Sequence, residues 1–459
     1  MIVDFPTAPG SLGGGGKTGE RRVSAPGEAG TGALANGARC RACDGALHDV
    51  VDLGMSPLCE SFLAGEQLDA MEPFYPLRVM VCGRCFLAQV REYVAPEQIF
   101  RDYAYFSSYS RAWLEHAEHY VETVIDRFRL PPQSAHIVEL ASNDGYLLQY
   151  FVKRGYSVLG IDPAENVARA AEARGVPTLT RFFNRATARE LAANGVLADL
   201  VIGNNVLAQV PELHDFIAGV PEILKPRGVA TFEFPHLLRL IDENQFDTIY
   251  HEHFWYFSLT AIEALLAGHG LRVFDVEELW THGGSLRLFV CHAEDASRPT
   301  TAHVGAMAER EQKAGLRELA TYAAFAERVK ATKRGLLDFL IDAKRAGKTI
   351  AGYGAPGKGN TLLNYCGIRG DFLDFTVDRN PHKHGKFLPG THIPISPPER
   401  IGEARPDYLL ILPWKFAGRD HVADGVHTRL GRAVRRTHSG GQGLCLALIA
   451  CKERGERCA

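Results

Sequence analysis

The amino-acid sequence predicts an α/β protein of several domains, and three observations carry that expectation. Strand-like runs at residues 136–141, 158–161, 177–181, 200–203 and 230–234 alternate with helical stretches, the pattern of a parallel sheet covered by helices on both faces. Two further runs, 273–276 and 286–290, are joined by a connection too short for a crossover helix, so they must be antiparallel. A second alternation opens at Thr349, on a glycine-rich turn. At 459 residues the chain is long for a single core, which agrees with two or three domains.

Taken in order, residues 1–37 are rich in Gly, Ala, Ser and Pro, cannot bury enough apolar surface to order themselves, and read as a flexible tail. Cys40-x-x-Cys43 and Cys82-x-x-Cys85 then bracket a compact segment with short strand-like stretches, assigned to a small domain over 38–95. Four thiolates satisfy the tetrahedral preference of Zn2+, each pair forming a tight knuckle. No obvious base lies beside them, so the metal is expected to be structural; Cys59, between the pairs, reads as buried packing. The pattern turns helical over 96–130, with Tyr and Trp along 103–113, and leads into a central domain that runs to 300. Thr260-Ala261-Ile262-Glu263 is a helix start signal and Gly270 a stop. Residues 301–347, rich in Ala, Glu, Lys and Arg, form a helical connector. The last unit, 348–459, is Rossmann-like, with further strands expected at 374–377 and 408–412. Seven strands with an antiparallel last pair is the layout of class I methyltransferases, by analogy of fold.

Bulk composition narrows the partners. Charged residues are 23%, the apolar set 46% and the net charge −3, so nothing calls for nucleic acid or an anionic membrane. No apolar run approaches membrane-spanning length and the N-terminus lacks a secretory layout, so a cytoplasmic protein without disulfides is expected.

Three strand ends carry a cofactor signal. Glu139-Leu140-Ala141-Ser142-Asn143-Asp144-Gly145 lies between a hydrophobic strand and a helix, where a nucleotide-type cofactor approaches the backbone. Only Gly145 remains of the usual glycines, which disfavours a pyrophosphate cradle and suits a cofactor without phosphates, such as S-adenosyl-L-methionine. Asp162 closes the second strand, placed to accept hydrogen bonds from ribose hydroxyls, and Asn204 and Asn205 close the fourth. Beyond the fifth strand stands Tyr250-His251-Glu252-His253, on the same side of the sheet. A histidine titrating near ~6.5 serves as a base at neutral pH, and an adjacent acid orients it. Three ligands at i, i+1 and i+2 converge poorly on a metal, which disfavours that use of His-Glu-His. Further on, Gly352-Tyr353-Gly354-Ala355-Pro356-Gly357-Lys358-Gly359-Asn360 presents amides and a lysine to an anion, with Asp378 at the end of the next strand for a ribose. The turn lacks a Walker ending, and a nicotinamide dinucleotide site is the competing reading.

In this order the motifs resemble the zinc-containing nucleotide-sugar C-methyltransferases, from about Cys40 to Trp414. The matching segments are the two cysteine pairs, Leu53-Gly54-x-x-Pro57-Leu58, Tyr105-Phe106-Ser107-Ser108-Tyr109-Ser110, Glu139 to Gly145 and Asn205-Val206-Leu207-Ala208. They continue with Glu252-His253-Phe254-x-Tyr256-Phe257-Ser258, Lys358-Gly359-Asn360-Thr361 and Asp378-x-Asn380-Pro381-x-Lys383. The resemblance implies a zinc domain, a central S-adenosylmethionine domain and a C-terminal Rossmann-like domain, with the sugar between the last two. It also implies a dTDP-linked 4-keto-6-deoxysugar as substrate, methylated beside the ketone. His253 would be the base, assisted by Glu252 and Tyr250, with a tyrosine from Tyr103, Tyr105 and Tyr109 lining the site. His251, Tyr353, Lys358, Asn360 and Asp378 would face the substrate, bound by a monomer or weak homo-oligomer. The chain departs from the family at Gln209, often a histidine there, and after Trp414, where the closing aromatic-rich strands are missing. Three other readings stay open: another enolisable acceptor, a nicotinamide-dependent oxidoreductase built on the 352–359 turn, and a non-catalytic zinc-bearing binding protein.

Overall fold

The computed structural model describes residues 38–91, 94, 106–413, 434–436 and 447–450. The expected tail over 1–37, Tyr103, Tyr105 and Trp414 lie outside the described residues. Three sheets order the chain. The first holds β1 (Leu47–Ser56), β2 (Tyr75–Cys82) and β3 (Ala88–Val90), paired antiparallel in succession.

The central sheet contains β4 (His136–Leu140), β5 (Ser157–Ile161), β6 (Thr178–Leu179), β7 (Ala198–Asn204) and β8 (Leu224–Pro235). After β9 (Trp255–Tyr256), which belongs elsewhere, come β10 (Leu271–Leu279) and β11 (Ser285–His292). The spatial order is β10-β11-β8-β7-β4-β5-β6, with β4 to β8 parallel and β11 antiparallel between β8 and β10. All seven sequence-predicted runs are strands, and the short connection makes the last pair antiparallel as expected. Residues such as Ile137, Val138, Leu200, Val201 and Ile202 are fully buried, because both faces of a parallel sheet are covered. The strand order reverses between β4 and β7, so the crevice for a ligand opens at their carboxyl ends.

Strand β9 leaves the central domain altogether. It pairs antiparallel with β3 in the register Ala88↔Tyr256 and Gln89↔Trp255, becoming the fourth strand of the N-terminal sheet. The sequence offered no sign of this pairing.

Helix boundaries differ from expectation in two places. The helix Leu259–Ala267 starts from Ser258, whose hydroxyl accepts from the Ala261 amide at 3.2 Å, two residues before the predicted Thr260. The Thr260 amide instead donates to Glu311 Oε2 at 2.9 Å, a partner far away in sequence. The connector expected over 301–347 is two helices, Ala302–Lys313 and Leu319–Arg345, separated where Gly315 adopts φ +73, a conformation that suits glycine.

The third sheet contains β12 (Ile350–Tyr353), β13 (Thr376–Val377), β14 (Ile395–Ser396), β15 (Tyr408–Ile411), β16 (Val434–Arg436) and β17 (Ala447–Ala450), ordered β14-β13-β12-β15-β17-β16. Its first four strands are mutually parallel, while β17 runs antiparallel to both β15 and β16. The long helix Leu319–Arg345 packs into one apolar core with Val50 and Leu53 of β1 and with Ile350 and Leu362 of the last unit, through Tyr322, Phe325, Leu336 and Leu340. Each such fully buried side chain contributes on the order of 1.5–3 kcal/mol.

Candidate active site and metal centre

The turn after β4 is built from residues in unusual backbone conformations. Ala141 (φ 58), Asn143 (φ 50) and Gly145 (φ 73) alternate in the left-handed region, so an alanine and an asparagine take up geometry usually left to glycine. Asp162, at the end of β5, holds this turn: its Oδ2 accepts from the Asn143 amide and its Oδ1 from the Ala164 amide, both at 2.9 Å. Ser107 and Ser108 cover the turn from above, their amides donating to Asn143 Oδ1 (3.0 Å) and Asp144 Oδ2 (3.3 Å). Arg174 pairs with Asp144 Oδ2 at 3.1 Å and donates to the Ser108 hydroxyl. Glu139, only 1% exposed, makes no hydrogen bond of ordinary geometry through either carboxylate oxygen, and Asp144 Oδ1, Asn204 Oδ1 and Asn205 Oδ1 are buried in the same condition. Burial pushes the Glu139 carboxyl well up, the charges of Asp162 and Asp144 adding to it. Three buried acids at the ends of β4 and β5 suit a ligand with positive charge and repel a pyrophosphate. The sulfonium and ammonium groups of S-adenosylmethionine fit that requirement.

The Tyr250-His251-Glu252-His253 segment forms a tight turn, closed by the His253 amide donating to the Tyr250 carbonyl at 3.0 Å. The Tyr250 and His253 ring centroids lie 4.2 Å apart, with the ring planes inclined at 36°. The next amide, Phe254, donates to the Ala208 carbonyl at 2.7 Å, and the Asn205 amide donates to Glu233 of β8 at 2.7 Å. The imidazole-bearing loop is thereby fastened to the segment that closes β7. The other two side chains point to different neighbours. His251 Nε2 lies 3.2 Å from the Pro76 carbonyl, with its ring edge-on to Tyr75, and burial lowers its basicity. Glu252 Oε2 accepts from the Cys59 thiol at 3.3 Å, and burial pushes its carboxyl up to about 7.

The four cysteines gather as expected. Their Sγ atoms lie within 4.8 Å of one another, with Cys40 and Cys85 at 3.7 Å and Cys43 and Cys82 at 3.4 Å. A tetrahedron with Zn–S bonds near 2.3 Å has S–S edges of about 3.8 Å, so the geometry fits zinc. Donors to sulfur complete the knuckles: the amides of Ala42, Arg84 and Cys85, and the Gln89 side chain, whose Nε2 is 3.2 Å from Cys40 Sγ. The same region grips the segment that follows His253. Val90 donates its amide to the Phe254 carbonyl at 2.9 Å, and the Arg41 guanidinium sits 4.1 Å from the centre of the Trp255 ring. None of the seven cysteines among the described residues is in a disulfide.

The glycine-rich turn of the last unit is engaged within the chain. Ala355 donates its amide to Asp378 Oδ2 at 2.7 Å, and Gly357, first residue of the helix Gly357–Cys366, donates to Glu60 Oε1 at 3.1 Å. A Cβ on Gly357 would come within 2.6 Å of Cys59 Sγ, so this glycine is required by the close approach of the N-terminal segment. Asp378 Oδ1 takes the Asn380 amide at 2.8 Å, and Asn360 Nδ2 donates to the Cys59 carbonyl at 2.6 Å. Lys358 Nζ reaches the His282 carbonyl at 3.4 Å. Tyr353 is buried at the end of β12. The exposed Tyr109 meets His382 Nε2 through its hydroxyl at 3.3 Å. The sequence reads Cys59 as buried packing and carries no local sign of a role for Glu60. Their neighbours, Leu58 and Pro57, were noticed only as a motif, and no local pattern indicates contacts with residues almost two hundred and three hundred positions away.

Family profiles match a zinc binding domain over 40–100, a methyltransferase domain over 113–276 and a C-methyltransferase C-terminal domain over 280–424. The chain is 39% identical over 383 residues to C-methyltransferase NovU of Streptomyces niveus, covering 82% of this chain and 90% of that protein. A shorter match, 27% identical over 106 residues, joins it to the ubiquinone biosynthesis O-methyltransferase of Bartonella bacilliformis, covering 23% of this chain and 43% of that one. Among solved structures, the magnesium protoporphyrin IX methyltransferase of Synechocystis PCC 6803 with bound SAM aligns at 15% identity and a TM-score of 0.30, over 39% of this chain and 79% of that one. Strand order, acidic cofactor turn and family profiles together define an S-adenosylmethionine-dependent methyltransferase with an attached structural zinc site. More particularly, the chain belongs to the zinc-containing C-methyltransferase family.

Proposed function

We propose that this C-methyltransferase alkylates the carbon next to the ketone of a nucleotide-linked, dTDP-type 4-keto-6-deoxysugar, in secondary-metabolite sugar biosynthesis, after His253 has made that carbon an enolate. The observation that carries the reading is the close Tyr250–His253 ring pair, fastened through the Phe254 amide to the segment closing β7. S-adenosylmethionine, when bound by Glu139, Asn143, Asp162 and Asn204, supplies an electrophilic methyl. A carbon bearing hydrogen is no nucleophile, but one beside a carbonyl becomes nucleophilic once deprotonated. His253 takes that proton, Tyr250 and Glu252 stabilise the developing oxyanion, and the buried loop excludes water.

A second reading, another enolisable small metabolite, is supported by the glycine-rich turn. Its Ala355 and Gly357 amides are taken up by Asp378 and Glu60, so a substrate phosphate would have to rely on Lys358 and other groups. The same engagement speaks against a nicotinamide dinucleotide on that turn. No helix among the described residues is long and apolar enough to cross a membrane, and a small-molecule acceptor suits the buried site.

The test is mass analysis of dTDP-4-keto-6-deoxysugars incubated with the enzyme and S-adenosylmethionine in deuterated water. The expected outcome is a gain of one methylene mass, with deuterium exchange beside the ketone. Exchange and methylation both absent, in protein that binds the cofactor, would move the assignment to a different acceptor.

A further inference from the structure

The mechanism above leaves one cluster unused. Residues Cys59 and Glu60 lie between the two zinc-ligating pairs in sequence, yet in space they sit where all three sheets' domains meet. The Cys59 thiol donates to Glu252 Oε2 at 3.3 Å, and its carbonyl accepts from Asn360 Nδ2 at 2.6 Å. Glu60 Oε1 accepts the first amide of the helix Gly357–Cys366, and its Oε2 is 3.8 Å from Lys383 Nζ. The same helix reaches the catalytic loop directly, Thr361 Oγ1 donating to the Ile249 carbonyl at 2.9 Å.

We propose that Cys59 and Glu60 are positioning residues that present the Glu252 carboxyl to the acceptor as a hydrogen-bond donor and tie it to the C-terminal unit. The inference rests on the enolate reading, because a donor is needed where the carbonyl oxygen gains charge. A thiol is a weak donor, so it orients Oε2 without strongly stabilising an ionised carboxylate. The groups facing Glu252 are the Cys59 thiol and Glu60 carboxylate from the N-terminal segment and the Tyr256 hydroxyl from β9, with Tyr250 and His253 in its own loop. Lys383 and Asp378, from the C-terminal unit, act on Glu60 in opposite senses. Burial, with the Glu60 charge adding to it, pushes the Glu252 carboxyl up to about 7.

The test follows the protonated-carboxyl stretch of the full-length, zinc-loaded protein by difference infrared spectroscopy across pH, with Glu252→Gln to assign the band. No acceptor is present, so failure here is distinct from failure to find a methylated product. In the native protein a band lost in Glu252→Gln is expected to titrate near pH 7. Cys59→Ala, which removes a hydrogen bond to the ionised form, should move the midpoint up, and Glu60→Gln, which removes a like charge, should move it down, each by roughly half a unit to one unit. Cys59→Ser, a stronger donor in the same place, should bring it below the alanine variant, which separates positioning from loss of packing. A band absent near neutrality, or a midpoint unmoved by both Cys59→Ala and Glu60→Gln, overturns the proposal.

Discussion

Glu311 offers a sharp quantitative test, because a single buried carboxylate holds the helix that follows the Tyr250–His253 loop. Its Oε1 accepts from the Leu259 amide at 2.6 Å and from His236 Nε2 at 2.7 Å, and its Oε2 takes the Thr260 amide at 2.9 Å. Glu311→Ala leaves two first-turn amides and a buried imidazole without a partner. Each orphaned group costs about 1–3 kcal/mol, so losing the partner of all three comes to about 3 kcal/mol or more. A local loss of about 3 kcal/mol should make exchange at those amides on the order of 100-fold faster. Hydrogen-exchange mass spectrometry over the peptide spanning 255–267 reads this directly. The loosening should also slow methyl transfer, because β9 and Ser258 connect this helix to His253. Unchanged exchange over that peptide in the folded variant would refute the capping role of Glu311.

Other consequences are open to measurement. Burial alone would raise Glu233, but the Arg287 charge and the His116 and Thr281 hydrogen bonds override it and leave its carboxyl at about 2, below the ordinary 4.5. A depressed acid contributes stability that is present above about pH 4.5 and is lost as pH falls toward 2, on the order of 3 kcal/mol; Arg287→Ala should therefore shift acid unfolding to higher pH, and an unshifted acid midpoint would count against it. His253→Ala is expected to lower methyl transfer about 10²–10⁴-fold while S-adenosylmethionine binding, read by calorimetry, stays intact; turnover near the native rate would remove His253 from the base role. Cys82→Ala should lose the metal on elemental analysis, and full zinc stoichiometry in soluble variant would contradict four-thiolate ligation.

The legible part of this molecule is what repeats or lies close in sequence. The seven central strands show as hydrophobic runs because a doubly covered parallel sheet buries most of each inner strand, and the two cysteine pairs show because each knuckle is local. The acids at the ends of β4 and β5 are readable for the same reason, since strand ends are predictable once the strands are. What stays hidden is made by distant partners. Thr260 looks like a cap, yet Glu311 supplies the carboxylate and Ser258 the cap. The glycines after β12 look like an anion cradle, yet Gly357 is small because Cys59 packs against it. Ala141 and Asn143 occupy left-handed positions that no propensity would assign to alanine.

The pairing of β3 with β9 has a consequence for how the chain comes off the ribosome. The N-terminal sheet can take up zinc and form β1 to β3 early, but its outer edge at β3 stays open until Trp255 and Tyr256 have been synthesised. Unpaired strand edges invite pairing with other chains, and growing polypeptides emerge over many seconds. The first domain is therefore not self-sufficient. Cut free after β3, it should self-associate even with its metal bound, and supplying the downstream segment in trans should return it to solution.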